Sequence, residues 1–149
     1  MVEIRQTSIH QLKSYQNFAD VCRSYADESS LPEIGWDGVH IDRYESIEAT
    51  GLLSVFEAVD GDDLVGLLLM LVNELPHYGK RVAITESFYV LPCYRSTGAG
   101  RELLKAAEDE AKQLDAEAFL VSAPANGSLD RVIGRWGYRE SNHVYIKAL

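Results

Sequence analysis

The segment ESFYVLPCYRSTGAGRELLKAA, residues 86–107, predicts a strand, a tight turn and a helix in direct succession. Residues 88–91 are aromatic, β-branched or large and apolar, which favours a strand, and Pro92 ends it. The turn, RSTGAG at 95–100, holds two glycines, so its backbone can come close to another molecule. From Arg101 onward the apolar residues recur at helical spacing, which predicts an amphipathic helix.

The turn and the first turn of this helix predict an anion site. A glycine turn that opens a helix directs several unpaired N–H groups, and the positive end of the helix dipole, at one point. A nucleotide P-loop would need Lys and then Ser or Thr directly after the last glycine, whereas Arg101 and Glu102 follow Gly100. A dinucleotide fingerprint would need a third glycine where the chain has Leu103. Both nucleotide classes are therefore disfavoured.

Together with the strand and the proline before it, the turn resembles the coenzyme A loop of the GNAT family of N-acetyltransferases. That loop has Arg or Gln, two residues, Gly, one residue and then Gly or Ala, after a strand that ends in Val-x-Pro. The matching positions are Val90, Pro92, Arg95, Gly98 and Gly100. The strand end and residues 144–149 look most like compact members of the family carried by bacteriophages.

The resemblance implies an α/β (α+β) fold over a single domain, residues 1–149, in the order β-α-α-β-β-β-α-β-α-β-β. The central sheet would be mixed but mostly antiparallel, with about seven strands and about four flanking helices. Hydrophobic patterning places strands at 2–6, 53–58, 64–73, 82–91 and 117–122, helices at 8 to about 27, 40–49 and 126–136, and further strands over 138–149. The first helix begins with a capping box, Ser8 with Gln11.

The composition limits the classes of partner. With 14 Lys and Arg against 23 Asp and Glu, the net charge is −9, which repels nucleic acid and favours a cationic substrate. The longest apolar run, 64–72, is far too short to span a membrane, and residues 1–5 lack the pattern of a signal peptide. Cys22 and Cys93 indicate two reduced thiols, and the four histidines have no metal-ligand spacing. We expect a cytoplasmic protein without a metal. Dimers are usual in the family, which leaves a homodimer open.

The resemblance implies a site for acetyl-CoA. Turn amides would hold the pyrophosphate with side-chain help from Thr97 and Arg101, the open strand edge at Phe88 and Val90 would pair with the pantetheine arm, and Asn126 would contact that arm. The implied cofactor-binding residues are Phe88, Tyr89, Val90, Arg95, Ser96, Thr97, Gly98, Ala99, Gly100, Arg101 and Asn126. The alternative is that the glycines only shape a β-to-α turn.

Glu86 is the candidate catalytic base. An amine must be neutral to attack a thioester, and removing the proton of an ammonium group of pKa ~10.4 costs roughly 4–5 kcal/mol at pH 7. Glu86 precedes Arg95 by nine residues on the strand that would border the cleft, where several GNAT enzymes place a glutamate. An apolar strand pair would partly desolvate this carboxylate and raise its pKa. Otherwise Glu86 only organises water or pairs with a cation.

The usual general acid of the family is missing. The family pattern is Asn, six residues, Tyr, three residues and Gly, and here Asn126 and Gly137 keep this spacing while Ile133 occupies the tyrosine position. Tyr138 is the replacement that we assign as a catalytic candidate, with Tyr145 also near in sequence and water as a further alternative. The rival function is a non-catalytic acyl-CoA-binding protein that acts by occupying a partner.

The resemblance implies that the acceptor is a primary amine. We expect it to attack directly in a ternary complex, because no His or Asp is placed in sequence to activate Cys93 for an acyl-cysteine route. Five carboxylates fall in the loop that borders the acceptor site in this fold. They are Asp27, Glu28, Glu33, Asp37 and Asp42. They favour a cationic acceptor, and a solvated acidic loop is the alternative. A polyamine, an antibiotic, a peptide N-terminus and a protein lysine all remain open.

Overall fold

A computed structural model describes all 149 residues, and its centre is one five-stranded sheet with strands in sequence order. The strands are β1 (Val2–Thr7), β2 (Leu53–Asp60), β3 (Asp63–Leu75), β4 (Lys80–Val90) and β5 (Ala118–Leu120). β1 to β4 pair antiparallel, whereas β5 pairs with β4 in parallel over only three residues, Val82–Ile84. The sheet is therefore mixed and mostly antiparallel, as the resemblance implied.

Helices cover both faces of the sheet. They are α1 (Ile9–Ser14), α2 (Phe18–Ser29), α3 (Ile41–Ala49), α4 (Ala99–Gln113) and α5 (Ser128–Val132), with 3₁₀ helices at Pro92–Thr97 and Ile133–Trp136. None of them is long and apolar enough to cross a membrane. Nowhere do three His, Cys, Asp or Glu side chains come together in a group that could hold a metal ion.

The alternation of β2 divides the core into two layers. Phe56 and Ala58 pack in the cluster that contains the buried face of α4, while Val55 and Val59 pack in the cluster under α1 and α2. The side chains of these four β2 residues are all at most 2% exposed. The α4 face of the sheet and the α1/α2 face are therefore separate environments, and a side chain belongs to one or the other.

The N-terminal helix is two helices and not one. The capping box is present, since the Gln11 amide donates to Ser8 Oγ, but α1 ends at Ser14. Asn17 then clamps the chain to β3, because its side chain donates to the Leu64 carbonyl at 2.8 Å and accepts from the Leu64 amide at 3.1 Å. The apolar residues of 9–25 keep their helical spacing across this break, so the sequence pattern predicts one helix. The contact of Asn17 with Leu64, 47 residues away in the chain, causes the break.

The expected strands over 138–149 are wrong: no strand follows β5, and the sheet has five strands instead of about seven. Where one helix is expected at 126–136, the structure has the short α5 followed by a 3₁₀ helix. Val144 and Tyr145 are 88% and 90% exposed. Their alternation is typical of a strand, but a strand needs a paired edge, and β5 is only three residues long.

Two irregularities of β4 shape the site. Thr85 pairs with Met70 and Ser87 with Leu69, so Glu86 is an extra residue in a β-bulge with no cross-strand partner. The pairing with β5 ends at Ile84, so β4 presents an open edge from there to Val90.

Candidate functional site

The predicted turn lies between β4 and α4. A 3₁₀ helix ends at Thr97, Gly98 adopts the left-handed conformation with φ of 87°, and α4 begins at Ala99. An L side chain at this φ would be strained, which is why the position requires glycine. Thr97 Oγ1 donates to the Tyr94 carbonyl and accepts from the Ala99 amide, at 2.6 and 3.3 Å. The first amides of α4 have no partner within the helix, and the turn is largely exposed, so an anion has access to them.

The open edge of β4 runs into this turn, and its polar groups are engaged by side chains of the chain itself. The Phe88 amide donates to Tyr25 Oη at 3.2 Å. The Val90 carbonyl accepts from Arg95 Nε at 3.0 Å. The Phe88 amide and the Val90 carbonyl, two residues apart on this edge, are therefore hydrogen-bonded to side chains and not to a neighbouring strand.

Arg95 lies along this edge and does not reach out over the turn. Its Nη2 atom pairs with Glu28 Oε2 at 2.5 Å, and its Nη1 atom is 3.4 Å from Ser128 Oγ. The guanidinium carbon also stands 5.4 Å from the centre of the Tyr89 ring. Arg95 thus joins the end of α2, the start of α5 and strand β4.

Glu86 is exposed at the bulge and held by two hydroxyl groups. Tyr44 Oη donates to both carboxylate oxygens at 2.9 Å, and Ser87 Oγ donates to Oε2 at 2.6 Å. The strand position predicted a carboxylate shielded by an apolar strand pair, whereas Glu86 is exposed at the bulge. Burial, reinforced by the charge of Glu86, raises the pKa of Tyr44, so its hydroxyl remains a donor at neutral pH.

Tyr138 is not brought to Glu86. Its hydroxyl donates to Glu108 Oε1 at 2.5 Å, and its ring packs on the α4 face of the sheet. Tyr44 packs on the opposite face, with the α1/α2 cluster. Burial and the Glu108 carboxylate raise the pKa of Tyr138, so its hydroxyl keeps the proton that it donates to Glu108.

The remaining predicted residues lie around the turn or the loop before α5. Ser96 and Arg101 are exposed, and Gly100 lies against the strand, since a Cβ there would stand 3.7 Å from Val90 Cγ2. Asn126 has φ of 62°, and its amide donates to Asp130 Oδ2. The Ser128 contact places this loop beside Arg95.

Sequence reasoning missed the roles of Tyr25, Tyr44 and Glu28. Both tyrosines occur at the spacing of the apolar residues of a helix, and this spacing predicts a buried position in the core. A tyrosine carries a hydroxyl beyond its apolar ring, and that hydroxyl reaches the rim of a core where an aliphatic side chain would stop. Tyr25 also stacks on Tyr89, with ring centres 4.9 Å apart.

Comparisons with known proteins agree with this architecture. The sequence profile of the Acetyltransferase (GNAT) family matches residues 15–138. No curated protein sequence matches the chain.

Among solved structures, a ribosomal-protein-alanine N-acetyltransferase from Brucella melitensis biovar Abortus 2308 has a TM-score of 0.74 at 18% identity, covering 99% of each chain. Glucosamine-6-phosphate N-acetyltransferase from Arabidopsis thaliana has a TM-score of 0.76 at 12% identity, covering 99% of this chain and 97% of that one. An aminoglycoside acetyltransferase from an uncultured soil metagenomic sample, in complex with sisomicin, has a TM-score of 0.74 at 17% identity, covering 98% and 95%. At these identities the likeness concerns the fold. The family profile spans most of the sequence, and the chain belongs to the GNAT family of acetyltransferases.

Proposed function

We propose that this chain transfers the acetyl group of acetyl-CoA to a primary amine by direct attack in a ternary complex. The observation that carries the proposal is the continuity of three features: the glycine turn that opens α4, the open edge of β4 and the carboxylate of Glu86 on the same strand. An anion site, a peptide-like pairing edge and a base are the parts that such a reaction needs.

The residues around the turn fit acetyl-CoA. The exposed amides at the start of α4 suit the pyrophosphate. The Phe88 amide and the Val90 carbonyl suit the amide groups of a pantetheine arm once Tyr25 and Arg95 give up these contacts. Released from Val90 and Glu28, the Arg95 guanidinium would face the phosphates, to which it is complementary in charge and geometry.

Bound acetyl-CoA supplies a thioester carbonyl. Glu86 would remove the proton of the acceptor ammonium, directly or through one water, so that the nitrogen can form the new bond to the acyl carbon. Tyr44 and Ser87 fix the Glu86 carboxylate by donating to it, which leaves its remaining lone pairs for the acceptor. As the carbon–sulfur bond breaks, the electron pair leaves with a thiolate whose ordinary pKa is ~8.5, so help from an acid is useful but not essential.

Tyr25 is the hydroxyl best placed to assist the departing sulfur. Its oxygen lies at the β4 edge, and burial raises its pKa, so it carries a proton at neutral pH. Tyr138 is engaged with Glu108 on the other face of the sheet. Tyr25→Phe should therefore lower kcat, by about a hundredfold if proton donation contributes at the low end of its usual range. Tyr138→Phe should act mainly on stability; a loss of kcat with Tyr138→Phe alone would return the acid role to that residue.

Thermal unfolding with and without acetyl-CoA tests the cofactor. At 100 times its dissociation constant a ligand adds ~2.7 kcal/mol to the free energy of unfolding, which raises the melting temperature by roughly 5–10 °C for a domain of this size. ATP and NAD serve as controls and should give no shift. A shift with ATP or NAD and none with acetyl-CoA would contradict the proposal.

Turnover separates the proposal from its rival. Release of free thiol that depends on an amine establishes transfer, and Glu86→Gln should then slow it and change its pH profile. A thermal shift with acetyl-CoA but no thiol release with any amine would support the non-catalytic acyl-CoA-binding protein instead. An unchanged rate and pH profile in Glu86→Gln would show that Glu86 is not the base.

A further inference from the structure

An apolar cavity of about 290 Å³ lies under α2, α3 and the loop at 30–40. Its floor is β3, through Leu67 and Leu69, and its walls include Leu12, Phe18 and Trp36. Fourteen of its 18 lining residues are hydrophobic, and none of the 18 is charged. Arg23 stands 5.8 Å from the centre of the Trp36 ring, which helps to hold this wall in place.

The cavity ends beside Glu86. Tyr44 and Ser87 both line it, and both donate to the Glu86 carboxylate. A second, more open cavity of about 390 Å³ shares Tyr44 and Trp36 with the first and contains Glu86 itself. Glu86 thus stands at the mouth, with the apolar cavity behind it.

The charges at this mouth favour a single ammonium group. The only ionisable side chains that line the second cavity besides Glu86 and Tyr44 are those of His40 and Arg43. One ammonium can pair with Glu86, whereas a second would meet either a guanidinium or an uncharged apolar wall, where an unpaired charge is costly. None of the acidic residues of the neighbouring loop lines either cavity.

The loop that closes the cavity exposes apolar side chains. Leu31, Ile34 and Trp36 are 47%, 75% and 41% exposed, although each lines the cavity. An apolar ligand would cover part of this surface and gain the hydrophobic free energy that the loop leaves unused. Of the five carboxylates expected in this loop, two lie in α2 and one in α3, and none of the five lines the cavity.

Building on the proposed function, we infer that the acceptor is a monoamine with an apolar body, aliphatic or aromatic. Its ammonium group pairs with Glu86, and its apolar body fills the cavity between α2 and β3. In the reaction the ammonium group loses one proton to Glu86, and the nitrogen forms a bond to the acyl carbon as the carbon–sulfur bond breaks. The second proton of the nitrogen passes to the departing sulfur, which leaves as the thiol of coenzyme A. The apolar body stays in the cavity throughout and determines which amines are accepted.

A homologous series of n-alkylamines, from propylamine to hexylamine, tests this inference by calorimetry on the protein in the presence of coenzyme A. Each added methylene that enters the cavity should tighten binding about fourfold until the cavity is filled. Spermidine, which is longer and carries several charges, should bind at least tenfold more weakly than hexylamine. A flat series, or a preference for spermidine, overturns the inference.

A pair of variants locates the site. Ile34→Asp places a carboxylate in the cavity wall at a residue that is 75% exposed, so the fold should tolerate it. Hexylamine should then bind at least fivefold more weakly, with little change for propylamine. Tyr78→Asp makes the same change at a residue that is 69% exposed outside the cavity, and it should leave the whole series unaltered. Equal losses in both variants would overturn the assignment to this cavity.

Thiol release with acetyl-CoA distinguishes the proposed acetyl transfer from the inferred acceptor. Affinity that rises along the series without thiol release would support the apolar cavity and contradict the proposed transfer. Thiol release with spermidine and a flat alkylamine series would support the transfer and overturn the inferred acceptor.

Discussion

Glu28 holds Arg95 on the edge of β4, and its removal should tighten the binding of acetyl-CoA. The ion pair measures 2.5 Å, with the two side chains 44% and 32% exposed. Pairs at this exposure contribute about 0.2–1 kcal/mol. If Arg95 must leave Glu28 to meet the pyrophosphate, that energy opposes binding, and Glu28→Gln should lower the dissociation constant about 1.4- to 5-fold.

Glu33→Gln is the matched control for this prediction. Glu33 lies in the same acidic stretch and makes no ion pair, so its removal changes the net charge equally without releasing Arg95. Calorimetric titration with acetyl-CoA should show a larger gain for Glu28→Gln than for Glu33→Gln. The difference should shrink in 1 M salt, where the Debye length is about 3 Å. Equal gains, or weaker binding in Glu28→Gln, would refute the argument and show that Glu28 positions Arg95 for the ligand.

Three further predictions concern stability and thiol chemistry. Gly98→Ala should lower the free energy of unfolding by about 1 kcal/mol through its positive φ alone, since the new Cβ meets no atom within 4 Å. Gly100→Ala should be neutral or stabilising. Equal losses of stability for the two variants in denaturant titrations would contradict this. Glu57→Met combined with Tyr15→Phe should be about 1 kcal/mol more stable than Glu57→Met alone in the same assay, because the Tyr15 hydroxyl donates to Glu57 Oε1 at 2.9 Å and loses this partner in the single variant; equal stabilities would contradict this. Burial raises the pKa of Cys22 to about 11, so iodoacetamide at pH 8 should modify the exposed Cys93 at least ~100-fold faster in a mass-spectrometric time course, and comparable rates would contradict the burial of Cys22.

The core of the fold follows from local features of the sequence. The end of β4, the turn and α4 lie within 28 consecutive residues, 86–113. Pro92 ends the strand region, Gly98 provides the left-handed residue, and the apolar spacing sets the buried face of the helix. These are short-range preferences of the backbone, so they can be identified without knowing what packs against them. The same holds for β2 and β3, because the turn that joins them contains Gly61 and can be predicted from the residues next to it.

Where local preference met a tertiary requirement, the sequence misled. Residues 138–149 alternate as a strand does, yet no strand of the sheet pairs with them. The helix expected from Ser8 onward is interrupted because Asn17 bonds to the backbone of Leu64. In both cases the deciding partner is far away in the chain or missing, and no window of sequence contains it.

The sequence by itself therefore determined the family, the glycine turn that opens α4 and the position of Glu86 on the strand that leads to it. Only the tertiary structure decided the surroundings of these groups. The bulge exposes Glu86, Tyr44 comes from 42 residues away to bind it, and Tyr25 covers the Phe88 amide from 63 residues away. The cavity behind Glu86 is apolar because α2, β3 and the loop before α3 turn their apolar side chains toward one another, whereas Glu33 and Asp37, the two carboxylates of that loop, gain more from remaining in water.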